Sequence, residues 1–425
     1  MRLITVLFLF LSSTLFSQDF SYYHIGDTTD ISTSPSFGIC LMGGATENDE
    51  GASWFLDKAD GGNVVIIRAS GSDGYNDYFF NQLGVNLQSV ETIVFNNASA
   101  SLNSFVQRRI ANAEAIWIAG GDQFLYESYW KRSPIEALLN SHVNNDQAPI
   151  GGTSAGMAIL GEYYFNAQNG TINSVDALSD PFDPNITIEN DFLSMPFLSN
   201  TITDTHYDNP DRKGRQTVFM AHLISDNGEM NYGIAADEYV AICIDDSGHA
   251  SIFGDHPSFE DYAYFLRTNC SVQGPSVLTA GQPLNWNPVG DALEICIMPG
   301  VAGGTNTFDL NSWTNINGGT WESWNVENGS LMMNPSTLEE CDLSAAEVDE
   351  LHTIHVYPNP SSEKLTIQSQ SKIKGYELVS LNGTLVAKGE NAESFMIDEL
   401  QNGVYLLVIM IDANRSEIKK VVINH

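Results

Sequence analysis

Short apolar runs alternate with amphipathic stretches through the first 160 residues. Apolar runs that end in Gly, Ser or Asp occupy residues 37–44, 63–68, 91–95 and 115–121, and a further run ends at Ser154. Helical patterns cover residues 76–83, 101–113 and 124–143 between them. Continuously apolar strands that alternate with helices are typical of a parallel sheet buried on both faces. The pattern predicts an α/β fold, with a parallel, doubly wound sheet flanked by helices.

The regular alternation of apolar strands and amphipathic helices ends after Leu160. Residues 177–190 are polar and predict a surface loop or a lid. A strand then ends at residues 204–206, a helix is predicted over 216–224, and two further strands bracket Asp237 and Glu238. Ligands of such sheets bind at the carboxyl ends of the strands, so residues at strand ends are candidates for chemistry.

The end of the chain follows a different pattern. Residues 301–335 are rich in Gly, Asn, Thr and Trp and predict short strands that close the preceding domain. Beyond the acidic stretch 338–351, short alternating strands separated by hairpin signals predict a small all-β, sandwich-like C-terminal domain. We therefore divide the chain into residues 1–17, 18–300, 301–350 and 351–425.

Residues 1–17 have the pattern of a secretory signal peptide. Arg2 supplies the positive charge, an apolar core follows from Leu3 to Leu11, and Ser12, Ser13 and Ser17 suit a cleavage site. The core is too short to span a bilayer comfortably. We expect the protein to be exported.

Charge narrows the classes of partner. The formal net charge is −35, and residues 351–425 hold seven Lys/Arg and eight Asp/Glu, so nearly all of this charge belongs to the first 350 residues. Such a background argues against a nucleic-acid partner. An acidic surface could attract a cationic substrate, but charge spread along the chain favours an adaptation to salty surroundings.

Five cysteines are few for an exported chain. Cys40 and Cys243 lie in apolar runs and are expected to be buried thiols. Cys270, Cys296 and Cys341 could supply one disulfide, and the sequence leaves its pairing open. No spacing of ligand residues predicts a metal site, and we expect no cofactor.

Residues 152–156 (GTSAG) form a G-x-S-x-G nucleophile elbow around Ser154. Small residues are required there because the turn from strand to helix is sharp, and the amides of the helix start can stabilise an oxyanion. A glycine-rich turn with a helix-capping serine is the alternative interpretation. A serine nucleophile needs a base and an orienting carboxylate. His206 and Glu238 are the candidates because each follows the end of a strand.

The other histidines have simpler interpretations. His222 lies beside apolar residues of a helix and is expected to be packed. His249 and His256 flank a polar turn, where a solvated loop is favoured over a weak metal site. Arg212 and Arg215 follow His206 and could hold a carboxylate.

Four motifs together resemble the cyanophycinase and peptidase E family, serine peptidases on a fold similar to class I glutamine amidotransferases. The motifs are residues 119–123 (AGGDQ), 152–156 (GTSAG), 204–206 (DTH) with Gly214 and Arg215 downstream, and 233–238 (GIAADE). The resemblance implies Ser154 as nucleophile, His206 as base and Glu238 as the orienting acid. It also implies an oxyanion hole from the amides of Ala155 and Gly121, and substrate contacts from Gln123, Asp204 and Arg215, to which we add Arg212.

The last 70 residues resemble the C-terminal sorting domain of type IX secretion cargo. The matching features are residues 357–360 (YPNP), 382–383 (NG), 400–405 (LQNGVY) and 419–422 (KKVV). A generic β-sandwich binding module is the alternative. The resemblance implies the type IX secretion machinery as a partner and passage through the periplasm to the outer cell surface or the medium.

These features predict an exported serine peptidase that hydrolyses aspartyl-type peptide or isopeptide bonds by a Ser-His-Glu acyl-enzyme mechanism, with a cyanophycin-like polymer as the leading substrate. The chain departs from cyanophycinases at Thr205, where the family has Gln, and at residues 207–211, which intervene before Arg212. The substrate therefore stays open between this polymer and an α-aspartyl dipeptide. An inactive protein that serves as a surface binding module is the alternative from a different functional class. The sequence leaves the oligomeric state open, with a homodimer as one candidate.

Overall fold

The computed structural model describes residues 18–288, 291–338, 355–369, 373–380, 384–390, 394–398, 400–410 and 416–425. It divides into two compact units, residues 1–340 and 341–425. The predicted signal peptide and all but the first residue of the acidic stretch 338–351 lie outside the described residues.

Eighteen strands belong to the described part of the first unit. They are β1 (Phe20–Gly26), β2 (Ile39–Met42), β3 (Asn63–Arg68), β4 (Ser89–Phe95), β5 (Ala115–Ile118), β6 (Ile150–Thr153), β7 (Tyr163–Phe165), β8 (Ile188–Glu189), β9 (Thr201–Asp204), β10 (Tyr232–Ala236), β11 (Ala241–Ile244), β12 (His249–Phe253), β13 (Tyr262–Thr268), β14 (Leu293–Pro299), β15 (Asn306–Asp309), β16 (Ile316–Asn317), β17 (Thr320–Glu327) and β18 (Ser330–Ser336).

Eight α-helices accompany these strands within the described residues. They are α1 (Asp49–Asp57), α2 (Gly74–Asp77), α3 (Ser104–Ala111), α4 (Gln123–Trp130), α5 (Pro134–Asn144), α6 (Ala155–Ala158), α7 (Ser174–Ser179) and α8 (Lys213–Asn227). A π-helical turn, Tyr78–Gln82, follows α2, and short 3₁₀ turns cover Ala98–Leu102 and Ala302–Gly304.

The first sheet has ten strands in the order β1-β4-β3-β5-β6-β2-β11-β12-β15-β16. Its centre, from β4 to β2, is parallel, and antiparallel strands extend both edges. Helices cover both faces: residues of α3, α4 and α5 share one apolar cluster with Val65, Ile67 and Ile116, and residues of α1 share another with the alternate residues Val64 and Ile66. The prediction of an α/β fold with a parallel sheet flanked by helices is confirmed.

A second sheet of eight strands was not visible in the sequence pattern. Its order is β18-β17-β14-β13-β10-β9-β7-β8, and β7, β9 and β10 run parallel. Strands from residues 306–336 pair into both sheets, since β15 joins β12 and β17 joins β14. Most of these pairings are antiparallel and join segments distant in sequence, which a local pattern does not specify.

Two local expectations differ from the structure. The helix predicted over 124–143 is divided into α4 and α5, because Ser133 caps α5 and Pro134 occupies its first position. The polar stretch 177–190 is not only a loop, since it contains the end of α7 and the short strand β8.

The second unit is all-β, as predicted. Its described strands are β19 (His355–Tyr357), β20 (Lys364–Gln368), β21 (Gly375–Ser380), β22 (Leu385–Glu390), β23 (Ser394–Met396), β24 (Gly403–Met410) and β25 (Ser416–Ile423). A three-stranded sheet and a four-stranded sheet share one apolar cluster that includes Leu365, Leu378 and Leu407. The hairpin signal at residues 381–383 lies outside the described residues.

The structure shows whether four of the five cysteines are free or disulfide-bonded. Cys40, Cys243 and Cys296 are free and buried, and Cys270 is disulfide-bonded. Cys40 and Cys243 are directly opposite on β2 and β11, with their sulfur atoms 3.6 Å apart. Cys341 lies outside the described residues. Within the described part of the chain, none of the helices is long and apolar enough to cross a bilayer.

Candidate active site

Ser154 lies at the tip of a sharp turn between β6 and α6. Its φ and ψ are 51° and −118°, a conformation that L-residues rarely adopt and that is typical of a nucleophile elbow. The amide of Ser154 donates to the carbonyl of Met42 on β2, and the carbonyl of Ser154 accepts from the amide of Ala158. The backbone on both sides therefore holds the strained serine in place.

Glycines make this turn possible. A Cβ on Gly156 would lie 2.0 Å from the carbonyl oxygen of Ile118, and one on Gly152 would lie 2.6 Å from the Gly156 backbone. The elbow therefore packs directly on the end of β5. This close approach explains the spacing of the GTSAG motif without any reference to catalysis.

His206 approaches Ser154 from the second sheet. Its Nε2 lies 2.8 Å from Ser154 Oγ, and its amide donates to the carbonyl of Gly43, which follows β2. Gly44 has a φ of 119°, and a Cβ there would lie 2.4 Å from the imidazole ring. The diglycine after β2 thus leaves space for the imidazole beside the serine.

Glu238 lies on the far side of the imidazole. His206 Nδ1 donates to Glu238 Oε1 over 2.6 Å, and Asn209 donates to the second carboxylate oxygen over 3.3 Å. Because Nδ1 carries the proton, Nε2 is left to accept the proton of Ser154. The order Ser154–His206–Glu238 is the geometry of a hydrolytic triad.

Asp208 and Asn209 both bind Glu238, and the sequence did not predict these contacts. Asp208 Oδ1 accepts from the amide of Glu238 over 3.0 Å, so this aspartate fixes the turn that carries the acid. Asp211 Oδ1 accepts from the amide of Lys213 over 3.4 Å and lies 3.5 Å from the Lys213 ammonium. The two aspartates that depart from the cyanophycinase pattern therefore have partners within the protein.

The loop after β5 lies beside the elbow. A Cβ on Gly120 would lie 3.4 Å from Ser154 Cβ. The buried hydroxyl of Tyr126 donates toward the carbonyl oxygens of Ala119 and Gly120, over 2.8 and 3.0 Å. Ala155 opens α6, so its amide has no carbonyl one helical turn earlier within that helix. Of the two expected oxyanion donors, Ala155 follows Ser154 directly, and Gly121 follows Gly120, which lies beside the serine.

Asp204 and Arg215 bind each other. Both side chains are 3% exposed, Arg215 Nε donates to Asp204 Oδ2 over 2.9 Å, and a second bond joins Arg215 Nη2 to Asp204 Oδ1. Arg215 Nη1 also donates to the hydroxyl of Thr171. In this arrangement Arg215 offers no free charge to a substrate carboxylate, which differs from the expectation for this residue, and the charge of Asp204 is likewise paired within the protein.

Arg212 and Gln123 remain nearer to solvent. Arg212 Nη1 donates to the carbonyl of Thr205 over 2.7 Å, and burial, together with the nearby Arg215, lowers the pKa of Arg212 to about 10. Gln123 is the first residue of α4 and donates to the carbonyl of Phe165 over 3.3 Å. Both are half-buried, and Arg212 is held to Thr205, the residue before His206.

His222, His249 and His256 have partners within the protein. His222 Nε2 lies 2.7 Å from the carbonyl of Pro181, and its ring contacts Phe182. His249 contacts Ser247, and His256 packs near Tyr262. Across the residues that the structure describes, no group of three His, Cys, Asp or Glu side chains could hold a metal ion.

Comparisons with known proteins agree with the two resemblances. Residues 72–252 match peptidase family S51, and residues 355–424 match the secretion system C-terminal sorting domain. Cyanophycinases from Synechococcus elongatus and Thermosynechococcus vestitus are each 23% identical over 227 residues. Each match spans 51% of this chain and 65% of the relative.

Solved structures that are similar to this chain include a peptidase from an acI-B1 actinobacterium, which is 14% identical with a TM-score of 0.38. The match covers 52% of this chain and 89% of that peptidase. Another is a putative peptidase E protein from Listeria monocytogenes EGD-e, with 15% identity and a TM-score of 0.31 over 49% and 94%. The family matches therefore cover two separate segments, residues 72–252, which are similar to peptidase family S51, and residues 355–424, which are similar to a secretion system C-terminal sorting domain.

Proposed function

We propose that the protein is an exported serine peptidase that hydrolyses aspartyl-type peptide or isopeptide bonds. The observation that carries this proposal is the hydrogen-bonded chain from Ser154 Oγ through His206 to Glu238, with distances of 2.8 and 2.6 Å. The cyanophycinase relatives support an aspartyl polymer as the first substrate class to test.

The reaction follows from the polarity of this chain. His206 Nε2 takes the proton of Ser154 as Oγ attacks the scissile carbonyl, and Glu238 stabilises the imidazolium that forms. The amides of Ala155 and Gly121 donate to the oxyanion. His206 then protonates the leaving amine, and an acyl-enzyme remains. Water, deprotonated by His206, attacks this ester and releases the acid.

The sorting domain supports secretion or attachment at the cell surface. Within the proposal, the type IX machinery recognises the C-terminal unit after the chain has crossed into the periplasm. The mature peptidase would then meet its substrate outside the cell.

The test is hydrolysis of cyanophycin and of α-aspartyl dipeptides by the purified mature protein, with released amines as the readout. Ser154→Ala should lower turnover by roughly four to six orders of magnitude, because the nucleophile acts as a unit with its base. Ser225→Ala is the matched control, since Ser225 is exposed on α8 and bonds only the carbonyl of Ala221 among the contacts described for its side chain.

Each outcome distinguishes between the candidates. Cleavage of the polymer alone identifies a cyanophycinase-like enzyme, and cleavage of the dipeptides alone identifies an α-aspartyl dipeptidase. A folded protein that cleaves neither class would contradict the proposal and favour a binding module. Near-normal turnover in Ser154→Ala would show that the serine mechanism is wrong.

A further inference from the structure

A further cation lies at the carboxyl edge of the first sheet. Arg68 is the last residue of β3, and only β5 separates β3 from β6, the strand that leads to Ser154. At about 4.8 Å per strand, the ends of β3 and β6 are about 10 Å apart. Arg68 therefore lies within reach of a substrate bound at the nucleophile.

The guanidinium of Arg68 has few partners in the protein. Nη1 donates to the carbonyl of Ser72 over 3.1 Å, and the buried Nε has no hydrogen-bond partner in the described part of the chain. No ion pair with Arg68 occurs among the residues that the structure describes. Acidic residues outnumber basic ones by 53 to 18 in this chain, so a half-buried arginine without an acidic partner is unexpected.

Arg68 lies close to the oxyanion loop, which we define as residues 119–122 between β5 and α4. A Cβ on Gly121 would lie 3.7 Å from Ser70 Oγ, so the turn after Arg68 adjoins the loop that carries the expected oxyanion amide. Glu47, the carboxylate nearby, already accepts the hydroxyl of Tyr75. Burial raises the pKa of Glu47, whereas the Tyr75 bond and the charge of Arg68 act to lower it.

The cations on the other side of the nucleophile have partners. Arg215 is held by Asp204, and Arg212 donates to the Thr205 carbonyl. An acyl unit of an aspartyl substrate carries a free carboxylate: the aspartate's own in a dipeptide, and that of arginine in a β-aspartyl-arginine unit. A planar guanidinium is the group that binds such a carboxylate through two parallel hydrogen bonds.

We propose that Arg68 binds a free carboxylate of the substrate's acyl unit, beside the carbonyl that Ser154 attacks. This inference rests on the proposed function for the identity of the substrate. Binding, rather than turnover, is therefore the primary measurement. It is made in full-length protein that carries Ser154→Ala, so that no probe is consumed.

The probes are two pairs that differ only in charge. One is α-aspartyl-leucine with asparaginyl-leucine, and the other is β-aspartyl-arginine with its dicarboxamide. Calorimetry should show that Arg68→Gln weakens binding of the acid in at least one pair by about ten- to a hundredfold and leaves the amide unchanged. Arg68→Lys should restore part of this affinity. Arg108→Gln, which removes an exposed arginine of α3, should change neither.

The inference is overturned if Arg68→Gln leaves every acid affinity unchanged, if it weakens acid and amide equally, or if the parent protein binds neither acid at millimolar concentration. Turnover by the wild-type protein is measured separately. Turnover without an Arg68 effect overturns only this inference, whereas Arg68-dependent binding without turnover overturns only the proposed function.

Discussion

Asp237 directly precedes Glu238 and is buried, with only 2% of the residue exposed to solvent. Oδ2 accepts from the amide of Tyr262 over 3.1 Å and from the hydroxyl of Tyr264 over 3.4 Å, while Oδ1 has no hydrogen-bond partner within the described residues. Burial, followed by the nearby Asp208, raises the pKa of Asp237 to about 8, against the lowering effects of Lys213 and the two tyrosines. The carboxyl is therefore largely protonated at neutral pH.

This proton makes stability depend on pH. The folded protein keeps it up to about pH 8, whereas the unfolded chain releases it near 3.8. The folded state thus binds more protons in this window, and the contribution of Asp237 to the free energy of unfolding falls as the pH rises from about 4 to about 8. Asp237→Asn, which mimics the neutral carboxyl, should remove this fall.

The measurement is urea denaturation at several pH values between 4 and 8 for wild type, Asp237→Asn and Asp57→Asn. Asp57 is an exposed carboxylate at the end of α1, so its variant controls for the loss of one surface charge. The advantage of Asp237→Asn over wild type should grow with pH. A constant difference across the range would show that Asp237 is ionised throughout.

The sequence predicts a functional residue when that residue lies in a short local motif, and it does not predict contacts between distant segments. Ser154, His206 and Glu238 could be named because each follows a strand end within a short motif, and the structure places them in one hydrogen-bonded chain. The pairing of Arg215 with Asp204, 11 positions away, depends on how α8 packs against β9. The bond from the Glu238 amide to Asp208, 30 positions away, depends on how β9 and β10 lie together. No spacing in the sequence specifies those contacts.

At the scale of elements, the oxyanion loop depends on the helix that follows it. Asp122 caps α4 by accepting from the amides of Phe124 and Leu125, and this cap directs Tyr126 back beneath the loop. The hydroxyl of Tyr126 bonds two loop carbonyls, and its ring stacks on Trp130 at 4.5 Å. The helix therefore holds Gly120 and Gly121 at the elbow.

Removing the Tyr126 hydroxyl should loosen this loop. Tyr126→Phe keeps the ring and leaves two carbonyls without their shared donor, so we expect a loss of about 1–2 kcal/mol of stability. Because Gly121 is an expected oxyanion donor, kcat should fall roughly tenfold while KM changes little. Tyr78→Phe, which removes an exposed bond to Asp49, is the control for kinetics and thermal denaturation. An unchanged kcat would separate the loop from catalysis.

Elements were easiest to predict where their pattern is local. The bounds predicted for β3 agree with the structure residue for residue, because this strand is an apolar run closed by polar residues. The division of α4 from α5 was missed because the apolar spacing continues across Ser133 and Pro134. The second sheet was missed because its strands pair over long sequence distances.

For the whole molecule, the division into two units separates the candidate triad from the segment that matches a sorting domain. The candidate triad belongs to residues 1–340, which have apolar clusters of their own, and the sorting domain has its own cluster around Leu365, Leu378 and Leu407. Charge follows the same division, because the last 75 residues are nearly neutral in a chain of net charge −35. Each unit thus has the core that independent folding requires.

Deleting residues 351–425 should therefore leave peptidase activity unchanged and abolish export. The triad and its supporting contacts lie before residue 340, so kcat/KM of the purified truncated protein should equal that of the full chain. In the native host, cell fractionation should find the truncated protein in the periplasm instead of at the surface or in the medium. Full-length Ser154→Ala is the matched control, since it should be exported normally and be inactive. A truncated protein that is folded but inactive, or one that still reaches the medium, would show that catalysis and sorting are not divided in this way.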